Sequence, residues 1–335
     1  MNHAPHRLAA VALAATTALA LAACGAAGAD TTSTDDEAAP AGPFEYTDAR
    51  GETVQLDTVP QTVVAQSSMA AGLWDAGYQV DGVYGELAET DGELSYQAGN
   101  IDLDQVTTLG ATYGEFDVED YGLMNPDLLI DYTYDGENLW YVPAEQAEQI
   151  LGLAPSIGVG GTWANTDDAI AEFVDLAGKL GADTGSAELA ADREAYEAAL
   201  EDVSAASAET GLQVVVVSAD ADTLYVADPD SLPELSTLRA AGLDILDDEG
   251  ADGEVFHQHS WEEAGDYADA DVILFDARSR ESNEADLAEI DTWASLPAVQ
   301  AGQIYDWYAA APYSYRAYAE IYQGIADALR AAEAL

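Results

Sequence analysis

The chain is predicted to be an α/β protein of two lobes joined by a long helix, and three observations support this. Short β-branched or aliphatic runs alternate with helical patterns from residue 44 onward, which is typical of βαβ units and mostly parallel sheets. Three predicted strands precede a long helical stretch and three follow it. The roughly 290 residues after position 43 also exceed what one core normally supports. Each lobe is therefore expected to be Rossmann-like, with a central sheet.

The elements follow from local patterns. The predicted strands are Thr62–Gln66, Val80–Tyr84, Asp127–Tyr132, Gln213–Ser218, Val272–Asp276 and Ile304–Trp307. Between the third and fourth strands, apolar residues recur at helical spacing from an N-cap at Thr166 to Gly181, and a second helix follows. The predicted boundaries are 44–165 for the N-terminal lobe, 166–185 for the interlobe helix and 186–335 for the C-terminal lobe.

The amino-terminal segment indicates export. Residues 1–23 contain the apolar run Leu8–Ala23, which is about 16 residues long and has no acidic residue, as expected of a signal peptide and too short to span a bilayer. The run ends at Leu21–Cys24, which resembles a lipobox. We expect Cys24 to be lipidated, with an ordinary cleaved signal and an incidental cysteine as the alternative. Residues 24–43 are small and polar and are predicted to be a disordered tether, so the domain is expected on the outer face of the cytoplasmic membrane.

Composition limits the possible partners. The sequence has 9 basic and 64 acidic residues and a net charge of −55, which excludes nucleic acid as a partner. The acids are spread along the whole chain, so they indicate a hydrated surface of an acid-adapted or salt-adapted exported protein rather than a binding function. There are 18 Tyr against 5 Phe, and tyrosine, with an apolar face and a polar tip, suits a wet aromatic cleft.

The candidate ligand residues come from the loops after the predicted strands, because open α/β sheets bind ligands outside the carboxyl ends of their strands. Aromatic candidates there are Tyr84, Tyr132, Trp140 and Tyr308. The loops hold no Gly-x-Ser-x-Gly elbow and no phosphate loop in the right context, so binding is favoured over catalysis and no catalytic residue is assigned.

Two pairs of residues add polar candidates. Arg278 and Arg280 lie just past a predicted strand, where a guanidinium can donate paired hydrogen bonds to ligand oxygens; pairing with neighbouring acids is the alternative. His257 and His259 alternate before a capping box at Ser260, and His259 is the candidate for a polar ligand contact. Direct metal or haem ligation needs more converging ligands than two histidines, so no metal site is predicted and a structural role remains open.

Four segments carry a family resemblance. They are Phe44–Ala65, Glu119–Asp131, Ser260–Leu274 and Leu296–Tyr305. In this order they resemble the ferric-siderophore and cobalamin class of substrate-binding proteins of ABC importers. The resemblance implies two lobes on one long helix, little hinge motion, a shallow cleft, and delivery to a permease with its ATPase. Glu119 and Glu262 match the family's docking glutamates, which meet permease arginines from the tips of the lobes.

One departure from the family bears on the ligand. Relatives that take anionic catecholates line the cleft with several Arg or Lys, whereas the early loops here offer Tyr132, Tyr134 and Glu86. A neutral or cationic ferric chelate such as a hydroxamate siderophore fits better, with Fe³⁺ carried by the ligand and no cofactor on the protein. Haem or cobalamin binding stays open within the same class, as does an exported enzyme or adhesin on this fold. A monomer is expected.

Overall fold

The computed structural model describes residues 42–88, 94–160, 163–247 and 255–335. In chain order the N-terminal half contains β1 (Phe44–Thr47), β2 (Thr53–Leu56), β3 (Val63–Gln66), α1 (Ser67–Asp75), β4 (Gly82–Tyr84), a 3₁₀ helix (Tyr96–Ala98), β5 (Thr107–Thr108), α2 (Val118–Met124), β6 (Leu128–Tyr132), α3 (Ala147–Leu151) and β7 (Ser156–Val159).

The second half begins with two helices. It contains α4 (Thr166–Leu180), α5 (Ala187–Thr210), β8 (Gln213–Ala219), β9 (Leu224–Ala227), α6 (Pro233–Ala240), β10 (Asp244–Ile245), β11 (Phe256–His259), a 3₁₀ helix (Trp261–Tyr267), β12 (Val272–Asp276), α7 (Ala277–Leu287), α8 (Asp291–Ala294), α9 (Pro297–Ala301), β13 (Ile304–Trp307) and α10 (Tyr315–Ala331). Within the described ranges, no helix combines the length and the apolar character needed to cross a membrane.

Two sheets form the centres of the two halves. The first has the order β5-β4-β3-β6-β7 and all of its pairs are parallel, while β1 and β2 form a separate antiparallel hairpin. The second has the order β11-β9-β8-β12-β13, with β10 also beside β8. Among the described strands of this sheet, β9 alone is antiparallel to its neighbours, β8 and β11. Residues of β3 and β12 are buried throughout, as strands covered on both faces must be. The predicted α/β class with mostly parallel sheets is confirmed.

Helix α4 connects the two halves. Its N-cap residue lies one position earlier in the chain than predicted. Asn165, not Thr166, is the N-cap, because the Asn165 side chain accepts the Asp168 backbone N–H at 2.9 Å. Thr166 is instead a buried polar contact: its N–H donates to Thr237 Oγ1 at 2.9 Å and its hydroxyl lies 2.6 Å from the Tyr322 hydroxyl. The helix ends at Gly181, whose φ of 110° favours glycine.

The two halves share one continuous core. Helix α4 packs against α1 of the first half and α6 of the second. The contact with α1 is close, because a Cβ on Gly72 would lie 2.9 Å from the Phe173 ring. Two further hydrogen bonds join the halves: Ser314 donates to Asp75 at 2.6 Å, and the Tyr96 hydroxyl donates to the Ala309 carbonyl at 2.6 Å. These contacts fix the walls of the cleft between the halves.

Candidate functional site

The candidate site is a cleft of about 310 Å³ where loops of both sheets meet. In the first sheet the chain moves from β3 to β4 on one side and later to β6 on the other; in the second it moves from β8 to β9 and later to β12. Such switch points are where open α/β sheets bind ligands. The described lining residues are Ser68, Met69, Tyr132, Tyr134, Trp140, Tyr141, Leu232, Glu234, Val255, Phe256, Arg278, Trp307, Ala309, Ala310, Ala311 and Tyr313.

The wall from the first half is aromatic. The Tyr132 and Tyr134 ring centroids lie 4.2 Å apart, and Tyr134 meets Trp140 edge-on at 5.0 Å. Trp140 is 49% exposed, so its indole is available to a ligand. Gly160 leaves room for this arrangement, since its φ is 123° and a Cβ there would lie 2.9 Å from Tyr132 Cζ. These rings provide a broad apolar surface with polar tips.

A buried carboxylate supports that wall from behind. Asp131 at the end of β6 accepts the backbone N–H groups of Tyr132 at 2.6 Å and Tyr141 at 3.1 Å, and so holds both ends of the aromatic loop. The side chain is inaccessible to solvent. Burial raises the pKa of Asp131 to about 7, although these hydrogen bonds oppose the shift.

The wall from the second half carries a fixed guanidinium. Arg278 Nε donates to Asp276 Oδ1 at 3.0 Å and Arg278 Nη2 donates to Asp276 Oδ2 at 2.7 Å. Asp276 is buried at the end of β12 and also caps α7 by accepting the Arg278 backbone N–H. Arg278 Nη1 makes no hydrogen bond to any described residue. This part of the guanidinium is left to donate into the cleft.

Glu234 is the other charged group among the described residues that line the cleft. It lies in the first turn of α6, is 4% exposed, and accepts a hydrogen bond from the Tyr313 hydroxyl at 3.0 Å. Burial raises the pKa of Glu234, while the Tyr313 hydrogen bond and the charge of Arg278 act in the opposite direction. The described part of the cleft therefore combines aromatic walls, one guanidinium and one buried carboxyl group.

Three of the sequence-predicted ligand residues meet in this cleft: Tyr132, Trp140 and Arg278. Their contact with a ligand stays a prediction. Tyr84 is not among the described lining residues: it is fully buried in the core of the first half with its ring 4.7 Å from Phe116. Its contact with a ligand also stays a prediction.

Three other predicted residues lie outside the cleft. Arg280 pairs with Asp306 at 2.5 Å on the surface, as the alternative in the sequence analysis proposed. His259 lies 3.0 Å from the Tyr267 hydroxyl on the edge strand β11. Tyr308 packs against Tyr96 at 5.1 Å and lines a neighbouring pocket of about 500 Å³. Arg280 lies within α7 and His259 at the end of β11, so neither belongs to a loop after a strand of the kind that the sequence analysis used to select candidates.

Several cleft residues were missed by sequence reasoning. Examples are Glu234, Phe256 and Tyr313. Glu234 follows β9 and Phe256 belongs to β11, and neither strand was predicted. Tyr313 lies five residues beyond Tyr308, the last candidate residue in the chain. The excess of tyrosine was the one signal that pointed to such residues.

The predicted docking glutamates are both exposed. Glu119 lies in the first turn of α2 and Glu262 in the first turn of the 3₁₀ helix Trp261–Tyr267. Helix α2 follows the parallel strand β5, and the 3₁₀ helix follows β11, which runs in the same direction as β8. Both glutamates therefore lie beyond carboxyl ends of strands. In the same 3₁₀ helix, the Glu263 carboxylate accepts the Ser260 N–H at 2.9 Å, which confirms the capping box.

The described residues contain no candidate metal site, and the predicted lipidation site lies outside them. Among the residues that the structure describes, no group of three or more His, Cys, Asp or Glu could hold a metal ion. The predicted lipidation site Cys24, the signal peptide and most of the tether lie outside the described residues.

Comparison with known proteins decides the family. A family model described as periplasmic binding protein matches residues 63–311, which include both central sheets and all of the described cleft residues except Tyr313. The chain belongs to the periplasmic binding protein family. No curated protein sequence matches this periplasmic binding protein. Members of the family are binding proteins, in agreement with a cleft that offers aromatic and hydrogen-bonding groups.

Solved structures share the fold. This periplasmic binding protein is 33% identical to DesE, a ferric-siderophore receptor protein from Streptomyces coelicolor, over 88% of this chain and 100% of that one, with a TM-score of 0.80. The siderophore periplasmic binding protein from the fuscachelin gene cluster of Thermobifida fusca is 21% identical, with coverages of 81% and 97% and a TM-score of 0.56. The petrobactin-binding protein YclQ of Bacillus subtilis is 15% identical, with coverages of 86% and 98% and a TM-score of 0.63. The last two show the fold alone.

Proposed function

We propose that this protein is the substrate-binding component of an ABC importer and that its cleft captures a ferric siderophore. The observation that carries the proposal is the wall of Tyr132, Tyr134 and Trp140 in a cleft that also holds one fixed guanidinium, Arg278. The relative at 33% identity, a ferric-siderophore receptor, supports it. A ferric chelate brings its own Fe³⁺ with its coordination already filled. The receptor then needs only apolar surface and a few hydrogen-bond donors, and no catalytic group.

The charges in the cleft favour a hydroxamate over a catecholate. Arg278 is the one basic residue among the described lining residues, and Asp276 already neutralises it. Glu234 adds a carboxyl group. A multiply anionic ferric tris-catecholate would enter this environment with little compensation for its lost hydration. A neutral or cationic ferric hydroxamate avoids that cost and can accept a hydrogen bond from Arg278 through its oxygens.

Tryptophan fluorescence tests the function directly, because Trp140 and Trp307 line the cleft. Titration with ferric hydroxamates, a ferric tris-catecholate, ferric citrate, haemin and cobalamin is expected to show hydroxamates binding at least tenfold tighter than the catecholate, or about 1.4 kcal/mol. Tightest binding of haemin or cobalamin, with its absorption band on the purified protein, would assign the alternative ligand. Absence of quenching by every compound, or hydrolytic turnover, would reject the proposal.

Arg278→Ala is expected to weaken hydroxamate binding by roughly 1–3 kcal/mol, since it removes a charged hydrogen-bond donor from the cleft. Arg280→Ala is the matched control: it removes the same charge two residues away, where the guanidinium bonds to Asp306 outside the cleft. Its dissociation constant should equal that of the unmodified protein. Titration of both variants under one set of conditions checks this, and equal effects of the two changes would remove Arg278 from the binding site.

We further propose that the protein is exported, held to the outer face of the cytoplasmic membrane by a lipid on Cys24, and works as a monomer. The lipobox-like sequence Leu21–Cys24 supports the anchor. Cys24→Ser should release a folded protein into the medium, because the acyl chains alone hold it to the membrane. Fractionation of cells expressing each form measures the release, and an unchanged membrane fraction would contradict the lipid anchor.

A further inference from the structure

The charged groups that the structure describes in the cleft do not balance. Among the described lining residues, Arg278 is the one cation and Glu234 the one carboxylate. Arg278 is already matched by Asp276 through two N–H···O bonds. With Glu234 ionised, these three groups together carry one negative charge. A ligand of complementary charge would therefore bring one positive charge.

Burial of the ionised Glu234 carboxylate costs hydration free energy, and a cationic ligand would offset this cost. A carboxylate that is 4% exposed loses most of its hydration. Its hydrogen bond from the neutral Tyr313 hydroxyl restores part of this, and no basic side chain of the described residues donates a hydrogen bond to it. Burial raises the pKa of Glu234, because removal from water disfavours its charged form. An ammonium group beside it would stabilise the charged form.

The neighbouring rings suit the same ligand group. Trp307 packs against Phe256 with ring centroids 5.9 Å apart, and Tyr313 packs against Trp163 at 4.8 Å. Trp307, Phe256 and Tyr313 line the cleft together with Glu234. The negative faces of such rings attract an ammonium group, and the attraction increases when the cation is removed from water.

We propose that Glu234 is a specificity-determining residue and that the cleft selects ferric hydroxamates that carry a protonated amine. The ammonium lies beside Glu234 and the rings of the second half, while the ferric centre faces the Tyr132, Tyr134 and Trp140 wall and Arg278. This deepens the proposed function and rests on it. The competing explanation is that Glu234 serves only α6, because an acidic residue in a first turn also stabilises its helix.

Two chelates that differ in one charge separate these explanations. The first is a linear ferric tris-hydroxamate with a terminal primary amine, and the second is the same chelate with that amine acetylated. The unmodified protein is expected to bind the amine at least tenfold tighter. Glu234→Gln should bring the ratio of the two dissociation constants close to one, because it weakens binding of the amine more than binding of the acetylated chelate. Glu234→Asp, which keeps the charge, should retain a preference for the amine.

Glu320→Gln is the matched control, since it removes the same charge from an exposed position on α10 outside the cleft and should leave the ratio unchanged. Equal binding of the two chelates by the unmodified protein would overturn the inference and leave the siderophore function intact. A Glu234→Gln variant that keeps the preference, or that loses both chelates equally, would also overturn it and return Glu234 to a structural role. Binding of neither chelate by the unmodified protein would reject the proposed function itself.

Discussion

A double charge reversal, Glu119→Arg with Glu262→Arg, is expected to abolish uptake of the ligand by cells. Both carboxylates are exposed in the first turns of short helices. Neither lines the cleft, so the dissociation constant and the melting temperature of the isolated protein should stay nearly unchanged. In the importer each carboxylate would face arginines of the permease, and like charges across that interface would oppose docking.

Uptake of radiolabelled ferric chelate by cells, with expression confirmed, measures the effect. The surface is crowded with acids, so a single reversal can be compensated by neighbours and the double variant is the informative one. Glu194→Arg with Glu201→Arg is the control: it makes the same charge change at two exposed positions of α5. Normal uptake by the Glu119/Glu262 variant, or equal loss in both variants, would contradict the docking role.

The free energy of unfolding is expected to increase as the pH is lowered from 8 to 5. Burial raises the pKa of Asp131 to about 7 and also raises the pKa values of Asp75, Asp81 and Glu234. A carboxyl whose pKa is higher in the folded state binds its proton more tightly there. Its contribution is complete below the unfolded pKa, near 3.8 for Asp131, and is lost as the pH rises through about 7.

Each such group contributes a slope of up to about 1.4 kcal/mol per pH unit between its two pKa values. Urea unfolding at pH 5, 6, 7 and 8 measures it. Asp131→Asn, which resembles the protonated acid, should flatten the profile, whereas Asp286→Asn on the solvated helix α7 should not. Below about pH 4 stability should fall, because hydrogen bonds from Arg330 hold the pKa of Asp202 near 2. A steady loss of stability from pH 8 to 5 would contradict the assignment.

Strands with continuous apolar runs were predictable from the sequence, as was Ile304–Trp307, whereas other short or polar strands were not. The strand at Val272–Asp276 was predicted to the residue, because all five side chains are buried and the run reads as apolar. Strand β5 has only two residues, both exposed threonines, and leaves no pattern. Strand β11, with the sequence FHQH, depends on pairing with β9 rather than on its own composition.

The candidate site was predictable only in part, for a related reason. Tyr132 and Arg278 follow strands that the sequence reveals, so the rule about carboxyl ends places them correctly. The same rule places Tyr84 in the cleft, although this last residue of β4 is fully buried and its ring packs against Phe116 in the core. Glu234 follows no predicted strand, and its position depends on how α6 packs against α4.

The ion pair between Arg278 and Asp276 has an entropic consequence for binding. An arginine side chain carries about 2 kcal/mol of rotamer entropy, and much of it is lost here when the chain folds, because Asp276 already fixes the guanidinium. A ligand that accepts a hydrogen bond from Arg278 Nη1 therefore does not have to immobilise a free side chain. Arg278→Lys would keep the charge but lose the planar two-point contact with Asp276. The ammonium would then stay mobile in the free protein, and ligand binding would have to immobilise it.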